Sequence, residues 1–72
     1  GDMDRIDLNV EGMSCGHCRG TVEQALKAVA GVREVVVSLE EGRATVSGEG
    51  VDAESLLRAV RERGFEATPA GS

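Results

Sequence analysis

Polar and apolar residues alternate strictly through Arg5-Ile6-Asp7-Leu8-Asn9-Val10. Ile6, Leu8 and Val10 therefore share one face, which predicts a half-buried strand. From His17 to Val29 the period changes. Val22, Ala25 or Leu26, and Val29 recur at spacings of three and four, the stripe of an amphipathic helix, and Gly31 supplies its stop. Val32 to Leu39 is β-branched and predicts a second strand, with Val35, Val37 and Leu39 on one face. Glu40-Glu41-Gly42 reads as a turn, so Arg43 to Ser47 returns as the third strand of a hairpin. Gly48-Glu49-Gly50 breaks the chain. Asp52 is a suitable N-cap for a second helix through Leu56, Leu57 and Val60, ending at Gly64. Phe65 to Thr68 is a short last strand, and Pro69 to Ser72 reads as a frayed tail or the start of a linker.

The order is βαββαβ. It predicts an α+β, ferredoxin-like sandwich: a four-stranded antiparallel sheet with both helices on one face. The one-sided alternation of the first strand agrees, since one face is covered and the other is wet. The 72 residues form a single domain, with a core over about residues 3–68 and a tail over 69–72.

Composition removes several functions. The net charge is −5 and Phe65 is the sole aromatic, which argues against nucleic acid as a partner. The longest apolar run is Val35-Val36-Val37, far short of the roughly 20 residues a membrane span needs, so no membrane insertion is expected. No apolar signal segment is visible near the N-terminus, and a reduced, cytoplasmic setting fits best.

The chemistry concentrates between the first strand and the first helix, in Gly12-Met13-Ser14-Cys15-Gly16-His17-Cys18. Cys15 and Cys18 are the chain's two cysteines. A bridge between residues three apart closes almost no loop, so the pair is a poor staple and a better chemical site. Soft thiolates select Cu(I), Zn(II) or iron–sulfur clusters. Structural zinc wants four protein ligands and a cluster usually four cysteines. Two thiolates in a near-linear arrangement satisfy Cu(I) by themselves and leave it open to a third sulfur. Cys18 falls in the first helical turn and Cys15 just before it, where unpaired N–H groups and the helix dipole favour thiolate. Gly12 and Gly16 let the loop bend.

This motif, in its βαββαβ setting, resembles the heavy-metal-associated domain family over roughly Met3 to Thr68. Ala30-Gly31-Val32 and Gly64-Phe65 also match that family's habits. The resemblance implies Cu(I) held by Cys15 and Cys18 and passed by thiolate exchange to a similar domain. It implies no enzyme, but a metallochaperone whose partner is a copper-transporting P-type ATPase or a homologous metal-binding domain. The alternative within the family is the ATPase's own N-terminal metal-binding domain. Phe65, where many free chaperones carry Lys or Tyr, points to the ATPase domain, and His17 points to bacterial chaperones. A Hg(II) binder is a further alternative. Cys-Gly-His-Cys is also the active-site tetrapeptide of protein disulfide isomerases, which keeps a small thiol–disulfide oxidoreductase in view. That fold sets a cis-proline opposite the cysteines, and the one proline here is Pro69, in the tail.

Around the pair, each side chain has a plain reading and a sharper one. Met13 fills the core under the loop or supplies a thioether. His17 is a surface residue, a third ligand, a modulator of the thiolates, or a bridge in a metal-linked homodimer of an otherwise monomeric chain. Phe65 packs in the core and also walls the loop. Arg58, Arg61 and Arg63 complement the end of the second helix. Arg19 and Lys27, placed on the first helix near the loop, are solvated or meet an acidic partner. Asp2, Asp4, Asp7 and Glu11 are solubility charges.

Overall fold

The computed structural model describes residues 4–70. Asp2, Met3, Gly71 and Ser72 lie outside the described residues. Six elements follow in the expected order: β1 (Asp4–Glu11), α1 (Gly16–Lys27), β2 (Val32–Ser38), β3 (Arg43–Gly48), α2 (Ala53–Arg61) and β4 (Glu66–Pro69). The strands form one sheet in the order β2-β3-β1-β4, and every neighbouring pair is antiparallel. β1 and β2 are thus parallel, with β3 inserted between them, which is the split βαβ plan.

Alternation decides which face the helices cover. Leu8 and Val10 of β1, Val35 and Val37 of β2, Ala44 and Val46 of β3 and Ala67 of β4 are buried. They meet Val22 and Leu26 of α1 and Leu56, Leu57 and Val60 of α2 in one cluster. The intervening positions Asp7, Asn9, Thr45 and Ser47 lie on the open face. There Val36 is 63% exposed, and the Thr45 hydroxyl, then Arg5, hold the Asp7 carboxyl below its ordinary range. Asp7 also pairs with Arg5 at 3.4 Å, so it is tied to its neighbours rather than merely solvated. Among the described residues no helix is long and apolar enough to cross a membrane.

Three sequence expectations change, and one holds with a different partner. Helix α1 stops at Lys27, two residues before Val29, because the Val29 N–H turns back to the Leu26 carbonyl at 3.1 Å and tightens the last turn. Leu39 does not continue the buried face of β2. It lies in the β2–β3 turn, 36% exposed, where its carbonyl accepts the Gly42 N–H at 3.3 Å. Asp52 is the α2 N-cap as expected, with its carboxylate accepting the Ser55 hydroxyl at 3.2 Å rather than a backbone N–H. The chain beyond Thr68 is not frayed as far as Ala70: Pro69 pairs with Leu8, and the Ala70 N–H donates to the Asp7 carbonyl at 2.9 Å. Pro69 is tolerated because β4 is an edge strand and needs no donor on its outer side.

This topology gathers one end of the sheet around the cysteines. β1 ends there, and β3 and β4 begin there. The Val10 N–H donates to the Gly42 carbonyl at 2.7 Å, pinning the β2–β3 turn beside the last residues of β1.

Candidate metal centre

Gly12 leaves β1 with φ of +97°, a backbone that residues with a Cβ rarely adopt. The resulting bend sends Met13 back against the core, where it is half-buried, and carries Ser14 and Cys15 outward. A Cβ on Gly12 would stand 3.5 Å from Cδ1 of Phe65, so Phe65 packs on the core and also walls the loop.

Cys15 is the N-cap of α1, in extended conformation, and its carbonyl accepts the Arg19 N–H at 3.2 Å. Its side chain makes no capping hydrogen bond and meets instead the Cys18 sulfur. Cys18 lies in the first helical turn. The two sulfurs are 3.6 Å apart and both are free thiols. That separation exceeds a disulfide bond of about 2.05 Å. It is less than twice a typical metal–sulfur distance of about 2.3 Å, so one ion can touch both sulfurs in a bent arrangement, and a near-linear one needs them to part by about 1 Å. Cys15 is exposed and Cys18 is half-buried.

The Cys18 thiol is pulled below its ordinary pKa. The Ser14 N–H is the largest cause and the Cys15 thiol the second; burial opposes them, and the Cys15 N–H and the Ser14 hydroxyl add smaller pulls in the same downward direction. The loop backbone thus does locally what the helix end was expected to do. No acidic residue stands in the first turn of α1 to oppose a thiolate. Site-resolved alkylation of the metal-free protein is expected to show Cys18 remaining reactive to lower pH than the same residue in denaturant. Coincident pH profiles would remove this account of the loop.

The remaining residues divide. His17 is exposed and its ring makes no hydrogen bond; only its carbonyl is used, by the Thr21 hydroxyl at 3.1 Å. Among the described residues no third His, Cys, Asp or Glu joins the two cysteines in a metal-binding cluster. Gly16 is the first residue of α1, has no positive φ and has open space where a side chain would stand, so the bend rests on Gly12 and does not require Gly16. Lys27 does not lie near the loop. It occupies the last turn of α1, about 18 Å along the axis from Cys15, and pairs with Glu23 at 3.8 Å. The role of Ser14 escaped the sequence pattern, because a backbone donor leaves no residue-type signature.

Residues 7–66 match the heavy-metal-associated domain. The chain belongs to that family. This heavy-metal-associated domain is 41% identical over 66 residues to a protein named copper chaperone CopZ from Staphylococcus aureus, spanning 89% of this chain and 97% of that one. Its fold also overlays two solved structures. One is described as a copper binding domain from HMA7, a P-type ATPase, with a TM-score of 0.89, 35% identity and 93% of each chain covered. The other is described as CopZ metallochaperone, with a TM-score of 0.86 and 37% identity over 90% of this chain and all of that one.

Proposed function

We propose that this domain carries one Cu(I) ion on Cys15 and Cys18 and hands it to a second thiolate-bearing domain. The observation that carries this reading is the pair of free sulfurs at the mouth of α1, with no third candidate ligand among the described residues. Two soft thiolates and nothing harder suit a monovalent, sulfur-seeking ion. They serve Zn(II) poorly, because it prefers four ligands. Two-coordination also keeps the ion transferable. A partner sulfur can enter first, forming a three-coordinate intermediate, before one sulfur of this chain lets go. In this exchange only metal–sulfur bonds form and break and no substrate is converted, which is the work of a carrier rather than an enzyme. Free thiols of this kind belong in the reduced cytoplasm.

The partner is a copper-transporting P-type ATPase or another heavy-metal-associated domain. The similarity to chaperones named CopZ supports the free-chaperone form. A second form, the ATPase's own N-terminal domain, is supported by the likeness to a P-type ATPase domain and by Phe65. The gene downstream of Ser72 separates the two: transmembrane helices mean the ATPase, a nearby stop the chaperone.

Anaerobic Cu(I) titration against a competing chelator tests the carrier. Absorption from sulfur-to-copper charge transfer is expected to saturate at one ion per chain, with Zn(II) bound far more weakly. Hg(II) also favours paired thiolates, so its titration in parallel tests the mercury alternative. Disulfide-reductase turnover without Cu(I) uptake would overturn the carrier reading. Exposure orders the exchange: Cys15 is the sulfur that meets the incoming thiolate and Cys18 the one that holds. Transfer to an acceptor domain is then expected to be slowed more by Cys15→Ser than by Cys18→Ser. Equal slowing, or the reverse, removes this order.

A further inference from the structure

The side chain that most directly ties α2 to the metal end of the sheet is Arg61, in the helix's last turn. Its guanidinium donates to the Ala67 carbonyl at 2.8 Å in a half-buried hydrogen bond. Residues 61 and 67 bracket Phe65. Between them the chain closes α2 with a paired cap. The Gly64 N–H donates to the Arg61 carbonyl at 2.9 Å, and the Phe65 N–H reaches back to the Val60 carbonyl at 3.4 Å. This is the Schellman arrangement, which sets the residue after the glycine against the helix's last apolar turn. Phe65 is therefore held by backbone on its N-terminal side and, through the Arg61–Ala67 bond, on its C-terminal side. Its ring lies against Gly12, the first residue of the sulfur-bearing loop.

β4 is four residues long and sits at the sheet edge, so β1 is its only strand neighbour. The Arg61 bond is its second tether. Without it, β4 keeps its pairing with β1 and Phe65 its helix cap, but the ring is held less firmly against Gly12, and a loop whose bend leans on that ring loses part of its backing.

We propose that Arg61 is a positioning residue for the metal loop, acting through Ala67 and Phe65 to hold Gly12–Cys15 closed, and so setting how fast a bound ion is released. Arg61 touches neither sulfur. The proposal rests on the carrier reading for its consequence, but its geometric core concerns the metal-free protein alone.

The test compares Arg61→Met, Arg61→Lys and a distal control, Val51→Ala, which loosens partly buried packing at the opposite end of the sheet. In the metal-free protein, hydrogen exchange at the Arg19 amide, which donates to the Cys15 carbonyl of the loop at 3.2 Å, is expected to quicken about three- to tenfold in Arg61→Met, the range for losing one ordinary intramolecular hydrogen bond. Arg61→Lys, which keeps a cationic donor, is expected to restore part of the protection. Val51→Ala should leave the Arg19 amide at its parental rate under conditions where the fold is intact. In the loaded protein, Cu(I) release to a chelator should quicken in the same order. Equal loop exchange in Arg61→Met and Val51→Ala, or quickening confined to β4, overturns the proposal. Failure of Cu(I) to bind the parent would overturn the carrier reading and leave the exchange comparison decisive for Arg61.

Discussion

Replacing both sulfurs, as Cys15→Ser with Cys18→Ser, is expected to abolish Cu(I) binding while leaving the fold at least as stable. Neither cysteine belongs to the buried cluster, so no cavity is opened. Serine is moreover a better N-cap than a thiol: α1 has no side-chain cap at Cys15, and a serine hydroxyl there can accept an N–H of the first turn. Such caps contribute about 0.5–2 kcal/mol, so the melting temperature of the double variant should hold or rise. The single variants separate the ligands. Losing a group that merely orients a ligand costs metal sites about 10–100-fold in affinity, and losing a ligand outright should exceed that range in each. Chelator competition reads the affinity and far-ultraviolet circular dichroism reads the fold. A double variant that still takes up Cu(I) as the parent does would end the paired-thiolate account. One that fails to fold would show that the sulfurs are structural.

Much of this site was legible because its parts are local. The alternation of Ile6, Leu8 and Val10 sets a strand, the spacing of Val22 and Leu26 sets a helix, and the cysteines fall at the junction. A junction of that kind places one sulfur at the N-cap and the other in the first turn, as the structure has it. The half-buried position of Met13 against the core likewise follows from its place under a bend.

What was not legible depends on bonds between distant residues or on backbone groups that every residue carries. Alternation marks a face but not where a strand stops. Leu39 continues the pattern of Val35 and Val37, yet the turn closes at its own carbonyl and leaves it exposed. The pairing of Pro69 and Ala70 is set by β1, some sixty residues earlier in the chain, and a composition that reads as frayed gives no hint of it. Lys27 looked close to the loop because it shares a helix with Cys18, but the helix is long enough to carry it to the far end. Arg61 read as one of three equivalent charges with Arg58 and Arg63. Only the return of β4 past α2 gives it a carbonyl to hold.

The second large effect is at the end of the sheet away from the cysteines, where Gly31→Ala is expected to cost about 2–4 kcal/mol. Two terms contribute: strain, because Gly31 has φ of +89°, and crowding, because a Cβ there would press on the Glu49 carbonyl and on Val51. Strained non-glycine backbone and overpacking each cost about 1–3 kcal/mol. The contact is reciprocal. A Cβ on Gly48 would meet the Gly31 carbonyl, which itself accepts the Glu49 N–H at 3.0 Å, so Gly48→Ala should also destabilise although its own φ is unremarkable. For a domain of this size each kcal/mol lowers the melting temperature by roughly 4–8 °C, so Gly31→Ala should melt about 8–32 °C below the parent. Gly20 is the control. It lies within α1 with nothing near its side-chain position, and alanine there is expected to stabilise by about 0.5–1 kcal/mol. At a temperature where Gly31→Ala remains folded, its Cu(I) affinity should equal the parent's, because the Gly31–Gly48 contact shares no residue with the sulfur loop. A melting temperature within a few degrees of the parent would show that the β2 entry can relax around a side chain. Weakened Cu(I) binding in the folded variant would show instead that the two ends of the sheet are coupled.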